Sequence, residues 1–233
     1  MASSKTRWRR WLLGDFSRRE LGWGALAMAV WFRAQGLSAA EIATPQTGRG
    51  PFYPVGDLSD ATADLLVREG QASAASGQPL RIVGRLVSLA GRPVGGAQIV
   101  IWQTDANGVY DHPDASRLMD IGGESDLEPA FRYGGKTETD SDGSYQFRTI
   151  EPGGYRLRGR RLPRPRHVHF EVSHPEVRTL ATEMHFAGDP HAADDFVTTW
   201  KQHLLLAVSP EPDPLHSGEL LAEFNLVVRD LAS

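Results

Sequence analysis

Lys136-Thr137-Glu138-Thr139-Asp140-Ser141-Asp142-Gly143-Ser144-Tyr145-Gln146-Phe147-Arg148-Thr149 is the stretch on which the fold class turns. Two strand-length runs, Lys136–Asp140 and Ser144–Thr149, flank Ser-Asp-Gly, in which glycine supplies the positive φ of a tight reversal. The pattern predicts a β-hairpin. Outward on the N-terminal side, Leu80–Ser88 alternates apolar and polar residues, Ala90-Gly91-Arg92-Pro93 makes a turn, and Ala97–Thr104 follows as another strand. On the C-terminal side His167–Ser173, Thr179–Phe186 and Glu223–Arg229 read the same way. Helical signals are few: Asp60 as a cap for Ala61–Glu69, and Ala192–Leu206. Short strands at regular spacing define an all-β chain, an antiparallel β-sandwich with short helices and long loops.

The 233 residues contain 24 glycines and 15 prolines, in keeping with many turns, and no cysteine. Disulfides and thiolate metal sites are excluded, so any metal must be held by His, Tyr or carboxylate. Residues 1–40 hold seven basic and two acidic groups; without them 18 basic groups face 27 acidic ones, against 25 and 29 in the whole chain. A domain this acidic argues against nucleic acid as its partner. Ser17-Arg18-Arg19-Glu20-Leu21 leads into an apolar run, and Leu37-Ser38-Ala39-Ala40 offers small residues for cleavage. This is the pattern of a twin-arginine export signal, cleaved or kept as an anchor; the other reading is a basic amphipathic helix. The run from Leu21 to Phe32 has 12 residues, short of the ~20 that span a membrane. The expected organisation is a signal over 1–40 and one exported domain over 41–233, with the membrane involved only through the signal.

Chemistry first shows in Arg164-Pro165-Arg166-His167-Val168-His169-Phe170. On a strand, residues two apart share a face, so His167 and His169 project together, opposite Val168 and Phe170. Two imidazoles on one rigid strand are either metal ligands or a chance pair on a solvated face. Tyr110 and Tyr155 sit in loops that leave strands, where functional groups are often presented. A phenol with a pKa of ~10 ionises at neutral pH only beside a strong positive centre. Two Tyr with two His suits ferric iron and is an odd set for zinc.

From Gly50 to Arg229 the chain resembles the intradiol ring-cleavage dioxygenases, the family of catechol 1,2-dioxygenase and protocatechuate 3,4-dioxygenase, and looks closer to the protocatechuate branch. The matching pieces follow in family order: Gly50-Pro51-Phe52-Tyr53-Pro54, Gly91 to Ala97, Ile101-Trp102-Gln103 with Gly108-Val109-Tyr110, Thr139 to Ile150, Pro152-Gly153-Gly154-Tyr155, Arg164 to Phe170, and Phe186 to Pro190. The resemblance implies Fe(3+) held by Tyr110, Tyr155, His167 and His169. It implies a catechol that binds as a dianion and displaces Tyr155, which helps take up a substrate proton, and a ring opened by O2 to a cis,cis-muconate. It assigns Arg164 a place beside the substrate ring, where a permanently charged guanidinium stabilises developing charge. The implied partners are a small aromatic diol and dioxygen; self-association is left open.

The pattern is broken where Glu183 stands in the place of a frequent family glutamine near the substrate, and the tryptophan common after the second tyrosine is missing. Arg156, Arg158, Arg160, Arg161, Arg164 and Arg166 make the next stretch unusually basic. Arg158 and Glu183 are the candidate substrate contacts, and the arginines favour a carboxylated catechol such as protocatechuate. Two readings compete with the enzyme. One is a non-catalytic exported module that binds an aromatic ligand or a partner. The other is a zinc hydrolase on His167 and His169, which lacks an acidic third ligand at helical spacing. His112, His174, His185, His191, His203 and His216 read as structural or surface groups, and Tyr133 and Tyr145 as packing. For the signal, N-terminal sequencing of the secreted protein should begin near Ala39–Ile42, and changing Arg18 and Arg19 to Lys should hold the precursor in the cytoplasm.

Overall fold

A computed structural model describes residues 42–56, 58–120, 126–199, 202 and 206–231. The export segment and His203 lie outside the described residues. Among the described residues ten strands form two five-stranded sheets. The first sheet is built on β1 (Pro79–Ser88), which pairs antiparallel with β4 (Ser144–Ile150). Its other pairings are parallel: β9 (Leu220–Glu223) along the first half and β10 (Leu226–Val228) along the second. β8 (Glu211–Pro212) extends that sheet beyond β9. The second sheet has the order β3 (Gly134–Glu138), β2 (Gln98–Trp102), β5 (His167–Ser173), β6 (Leu180–Phe186), β7 (Ala207–Val208). It is antiparallel except where β6 meets β7. A short helix, α1 (Ala115–Leu118), lies in the loops.

The sandwich class and the positions of β1, β2, β5 and β6 are as expected, whereas the strand expected over Glu223–Arg229 is only β10, with β9 ending at Glu223; three further local differences have physical causes. The Asp140–Ser144 turn forms, with Gly143 N donating to Asp140 O at 2.8 Å and Asp140 N to Ser144 O at 2.9 Å, and Gly143 has φ +80°. Its flanking strands do not stay together: β3 pairs with β2 and β4 with β1. The turn thus carries the chain from one sheet to the other. A tight turn fixes only the neck of a hairpin, and strand pairing beyond it goes to the longer apolar partner.

The helix expected over Ala61–Glu69 is absent. Leu65 and Leu66 are buried in the core instead, and the backbone bonds to neighbouring strands: Leu65 N to Arg148 O, Arg148 N to Ala63 O and Lys136 N to Thr62 O. Tertiary pairing overrides the weak helical preference of a single short segment. In Ala192–Leu206, Ala192–Asp194 is one 3-10 turn, 195–199 is irregular, and only Gln202 and Leu206 among the later described residues are helical.

The alternation of β5 and β6 decides where everything else goes. Val168, Phe170 and Val172 with Met184 and Phe186 point between the sheets, onto Leu80, Ile82, Phe147 and Tyr145. β2 contributes Ile99 and Ile101 to the same core. The other face of the second sheet looks away from this core and is also covered. There Val100 and Trp102 join Phe52, Tyr110, Met119 and Tyr155 in a second apolar cluster. Phe147→Ala removes a fully buried ring that touches Tyr145 and Phe170. It should cost about 3–5 kcal/mol in chemical denaturation.

Candidate metal centre and active site

The site is built on the outer face of the second sheet. Cross-strand register sets His167 opposite His185 and His169 opposite both Glu183 and Trp102. The His-x-His of β5 thus meets a Glu-x-His on β6, and all four side chains are buried. Trp102 lies flat on the His169 ring, at 4.7 Å between centroids and 0° between planes. The entry segment closes the face from above. Tyr53 donates to Glu171 at 3.0 Å, Arg49 pairs with the same carboxylate, and the Gly50 backbone passes beside the edge of His169.

Two loops carry the tyrosines in. The first is held by Asp105, fully buried, which accepts from Asn107 N at 2.9 Å, Val109 N at 3.0 Å and Tyr133 Oη at 3.0 Å. The second is Pro152-Gly153-Gly154 before Tyr155. The loops lie back to back. Thr104 Oγ1 donates to Gly153 O at 2.8 Å and Gly153 N to Asp105 O at 2.8 Å. A Cβ on Gly108 would run into the Gly154 carbonyl, and one on Gly153 into the Gly108 amide. This contact brings the two phenol rings to 5.3 Å, edge on, with Phe52 stacked on Tyr110 at 4.5 Å.

The predicted donors converge. Tyr110 Oη lies 3.4 Å from His167 Nε2, and the Tyr155 and His169 rings are 5.6 and 4.8 Å from the His167 ring. His167 Nδ1 is 2.7 Å from Pro165 O. That bond keeps the proton on Nδ1 and leaves the Nε2 lone pair facing the cluster. Burial lowers His167 well below the usual imidazole range and His169 to about 4, so both are neutral near pH 7. Burial pushes Tyr110 well above its usual value and Tyr155 upward too, the latter against the pull of Arg164.

The fit to a metal rests on this donor set. The imidazoles already carry the protonation state a ligand needs, and the phenols require a cation to ionise. His169 Nδ1 is buried without a hydrogen-bond partner, 3.6 Å from Glu183 Oε1. Nitrogen and oxygen atoms of His167, His169 and Glu183 lie within 4.8 Å of one another.

Arg164 reaches this cluster from the residue paired to Tyr155: its amide donates to Tyr155 O at 2.7 Å. One Nη1 sits 3.3 Å from His167 Nε2. Glu183 pairs with Arg164 rather than with the basic loop. Burial favours its neutral acid, yet His167, His185, His169 and Arg164 around it hold the carboxyl well below the usual range. Arg158 does not enter the cluster. Its backbone amide bonds to Leu118 O and its guanidinium donates to Ser116 O at 3.0 Å and Met119 O at 2.9 Å, so it fastens the loop to α1.

Sequence reasoning passed over His185 and Asp195. His185 was detectable, because it alternates with Glu183 on a strand next to the histidine strand. Asp195 belongs to an irregular loop and gave no signal. A cavity of about 330 Å³ borders the cluster and touches Tyr110, Trp102 and Phe52 but neither of the paired histidines.

Two-sheet fold, buried His pair and paired phenols together define a β-sandwich with a candidate metal site on the outer face of one sheet. A family model described as Dioxygenase matches residues 49–229. Catechol 1,2-dioxygenase 1 of Acinetobacter lwoffii is 32% identical over 190 residues, 76% of this chain and 56% of that protein. The protocatechuate 3,4-dioxygenase beta chain of Burkholderia cepacia is 31% identical over 147 residues, 62% of this chain and 60% of that one. The mercury-inhibited catechol 1,2-dioxygenase structure from Acinetobacter sp. ADP1 superposes with a TM-score of 0.62 at 26% identity, covering 88% of this chain and 68% of that one. The chain therefore belongs to the intradiol dioxygenase family. Its first relatives are catechol 1,2-dioxygenases, which corrects the expected leaning to the protocatechuate branch. The chain spans little more than half the length of the first of them.

The back-to-back loops give a direct test. Gly108 has φ +84° and no room for a side chain. Gly108→Ala should destabilise the fold by more than about 1 kcal/mol in denaturation and weaken metal binding, because the two phenols are forced apart.

Proposed function

We propose that this domain opens a catechol-type ring between its two hydroxyl-bearing carbons with O2, giving a cis,cis-muconate, with ferric iron held by Tyr110, Tyr155, His167 and His169. The observation that carries the reading is the convergence of two phenols and two neutral imidazoles in one buried cluster. A bound ferric ion supplies a Lewis acid that ionises the phenols and draws electron density from a bound diolate.

The protein's own groups divide the remaining work. His167 and His169 offer lone pairs whose direction is fixed by Pro165 O on one side and by Trp102 stacking on the other. Tyr155, the phenol beside Arg164, is the group that takes up a proton from a substrate hydroxyl at its Oη. Phe52, packed on both tyrosines, and Trp102 keep water from the donors.

A ring without a charged substituent is the better substrate. Two arginines of the basic stretch that pointed to a carboxylate are otherwise engaged: Arg158 on α1, and Arg160 over the Phe196 ring at 4.5 Å. The names of the first relatives point the same way. The twin-arginine pattern in residues 1–40 supports action outside the cytoplasm.

His167, His169 and Glu183 also form a two-His, one-carboxylate set. Glu183 has both oxygens committed to Arg164, which leaves a zinc-hydrolase reading without its third ligand.

Protein purified from iron-replete cells should contain one ferric ion per chain and be red to brown from phenolate-to-iron charge transfer. Tyr110→Phe should shift or weaken that band, and His167→Ala or His169→Ala should lose the iron. A colourless, zinc-loaded protein, or one that leaves catechol intact under O2, overturns the assignment.

A further inference from the structure

Arg164 is the cation closest to the candidate ligands, and its surroundings are unusual for a group expected to meet a negative charge. Its side chain is 3% exposed, that of Glu183 1% and that of Asp195 0%. A guanidinium has five N–H donors, and in Arg164 each has a partner. Nε donates to Asp195 Oδ1 at 3.1 Å, and Nη2 to Asp195 Oδ2 at 3.1 Å and to Glu183 Oε2 at 2.7 Å. Nη1 donates to Glu183 Oε1 at 3.1 Å and faces His167 Nε2 at 3.3 Å. Two carboxylates thus grip two edges of the fork, which leaves a single donor aimed at the candidate metal ligands.

Glu183 comes from a rigid central strand, whereas Asp195 comes from the irregular segment between β6 and β7. That segment is shaped for the purpose. Thr198 Oγ1 donates to Asp195 Oδ2 at 2.6 Å and Val197 N to Oδ1 at 3.3 Å, so contacts within its own segment orient the carboxylate. Next to it, Phe196 lies across both Arg160 and Arg164. The two acids outweigh the one guanidinium, so the clamp carries net negative charge beside the cluster. Within it Arg164 acts as a directed donor and not as a pool of positive charge.

We propose that Asp195 is a positioning residue for ring cleavage: together with Glu183 it locks the Arg164 guanidinium so that its one remaining N–H is held at the candidate ligand cluster, on the side of His167 Nε2. This rests on the proposed function above. Asp195 touches none of the four candidate ligands by a hydrogen bond; its hydrogen-bonded link to the cluster is Arg164, and its charge also reaches Tyr155.

The test is a cycle on iron-loaded wild type, Asp195→Asn, Arg164→Lys and the double variant, with catechol as substrate. Arg164→Lys keeps a cation between the acids and so protects the fold. Asp195→Asn should lower kcat by about tenfold or more, with KM changed less than about threefold and with iron content and the resting visible band unchanged. In the Arg164→Lys background it should have no further effect, since residues that act as one unit are not additive. Losses that multiply, equal effects on kcat and KM, or a silent Asp195→Asn overturn the proposal. Thermal unfolding of the same four proteins reads the clamp without turnover. Strong coupling between positions 164 and 195 sustains it and independence refutes it, even if the wild type proves unable to cleave catechol and the functional reading falls.

Discussion

The outer face of the second sheet is polar and yet buried, and the rest of the molecule is arranged around that constraint. A buried polar group without a partner costs about 1–3 kcal/mol, and this face presents His167, His169, Glu171, Glu183 and His185. Four of them are met by something brought in from elsewhere in the chain, and His185 lies 3.1 Å from Glu183 on its own strand. Arg49 and Tyr53 of the entry segment cover Glu171, and Pro165 O holds His167. Trp102 caps His169, and Arg164 satisfies Glu183. His169 Nδ1 is among the buried atoms left without a hydrogen-bond partner, 3.6 Å from Glu183 Oε1.

Covering a face with loops requires the loops to come close, and here glycine sets the limit. The Asp105–Tyr110 loop and the Pro152–Tyr155 loop make contact through backbone, at Gly108 and Gly153, where any side chain would intrude. The buried Asp105 carboxylate holds the first loop by its amides and ties it to Tyr133. The positions of the two phenols therefore follow from hydrogen bonds and packing several residues away from the rings. The same logic governs charge. Arg164 is tolerated without solvent because two acids from different segments grip it, and Glu183 is tolerated as a carboxylate because Arg164 and the imidazoles surround it.

Much of this was legible in the chain itself. Alternation placed β1, β2, β5 and β6 within a few residues of their ends, because period-two patterning is a local property of a strand with one face in a core. The side-by-side projection of His167 and His169 followed from the same rule. The pairing of Tyr110 and Tyr155 with them came from resemblance and not from spacing, since 45 residues separate the tyrosines and nothing local relates them. The Asp140–Ser144 turn was evident, whereas the divergence of its strands into different sheets was not.

The sequence by itself determined the alternating strands of the sandwich, the turn at Asp140–Ser144 and the face of β5 on which His167 and His169 lie together. Each depends on interactions within a few residues. Only the tertiary structure decided that Ala61–Glu69 would pair with strands instead of coiling, that His185 joins the site, and that Glu183 and Asp195 both close on Arg164. Those outcomes depend on which distant segments compete for the same backbone amides and the same buried charge. That competition is resolved only when the sheets have packed and water has been excluded from the face between them and the loops.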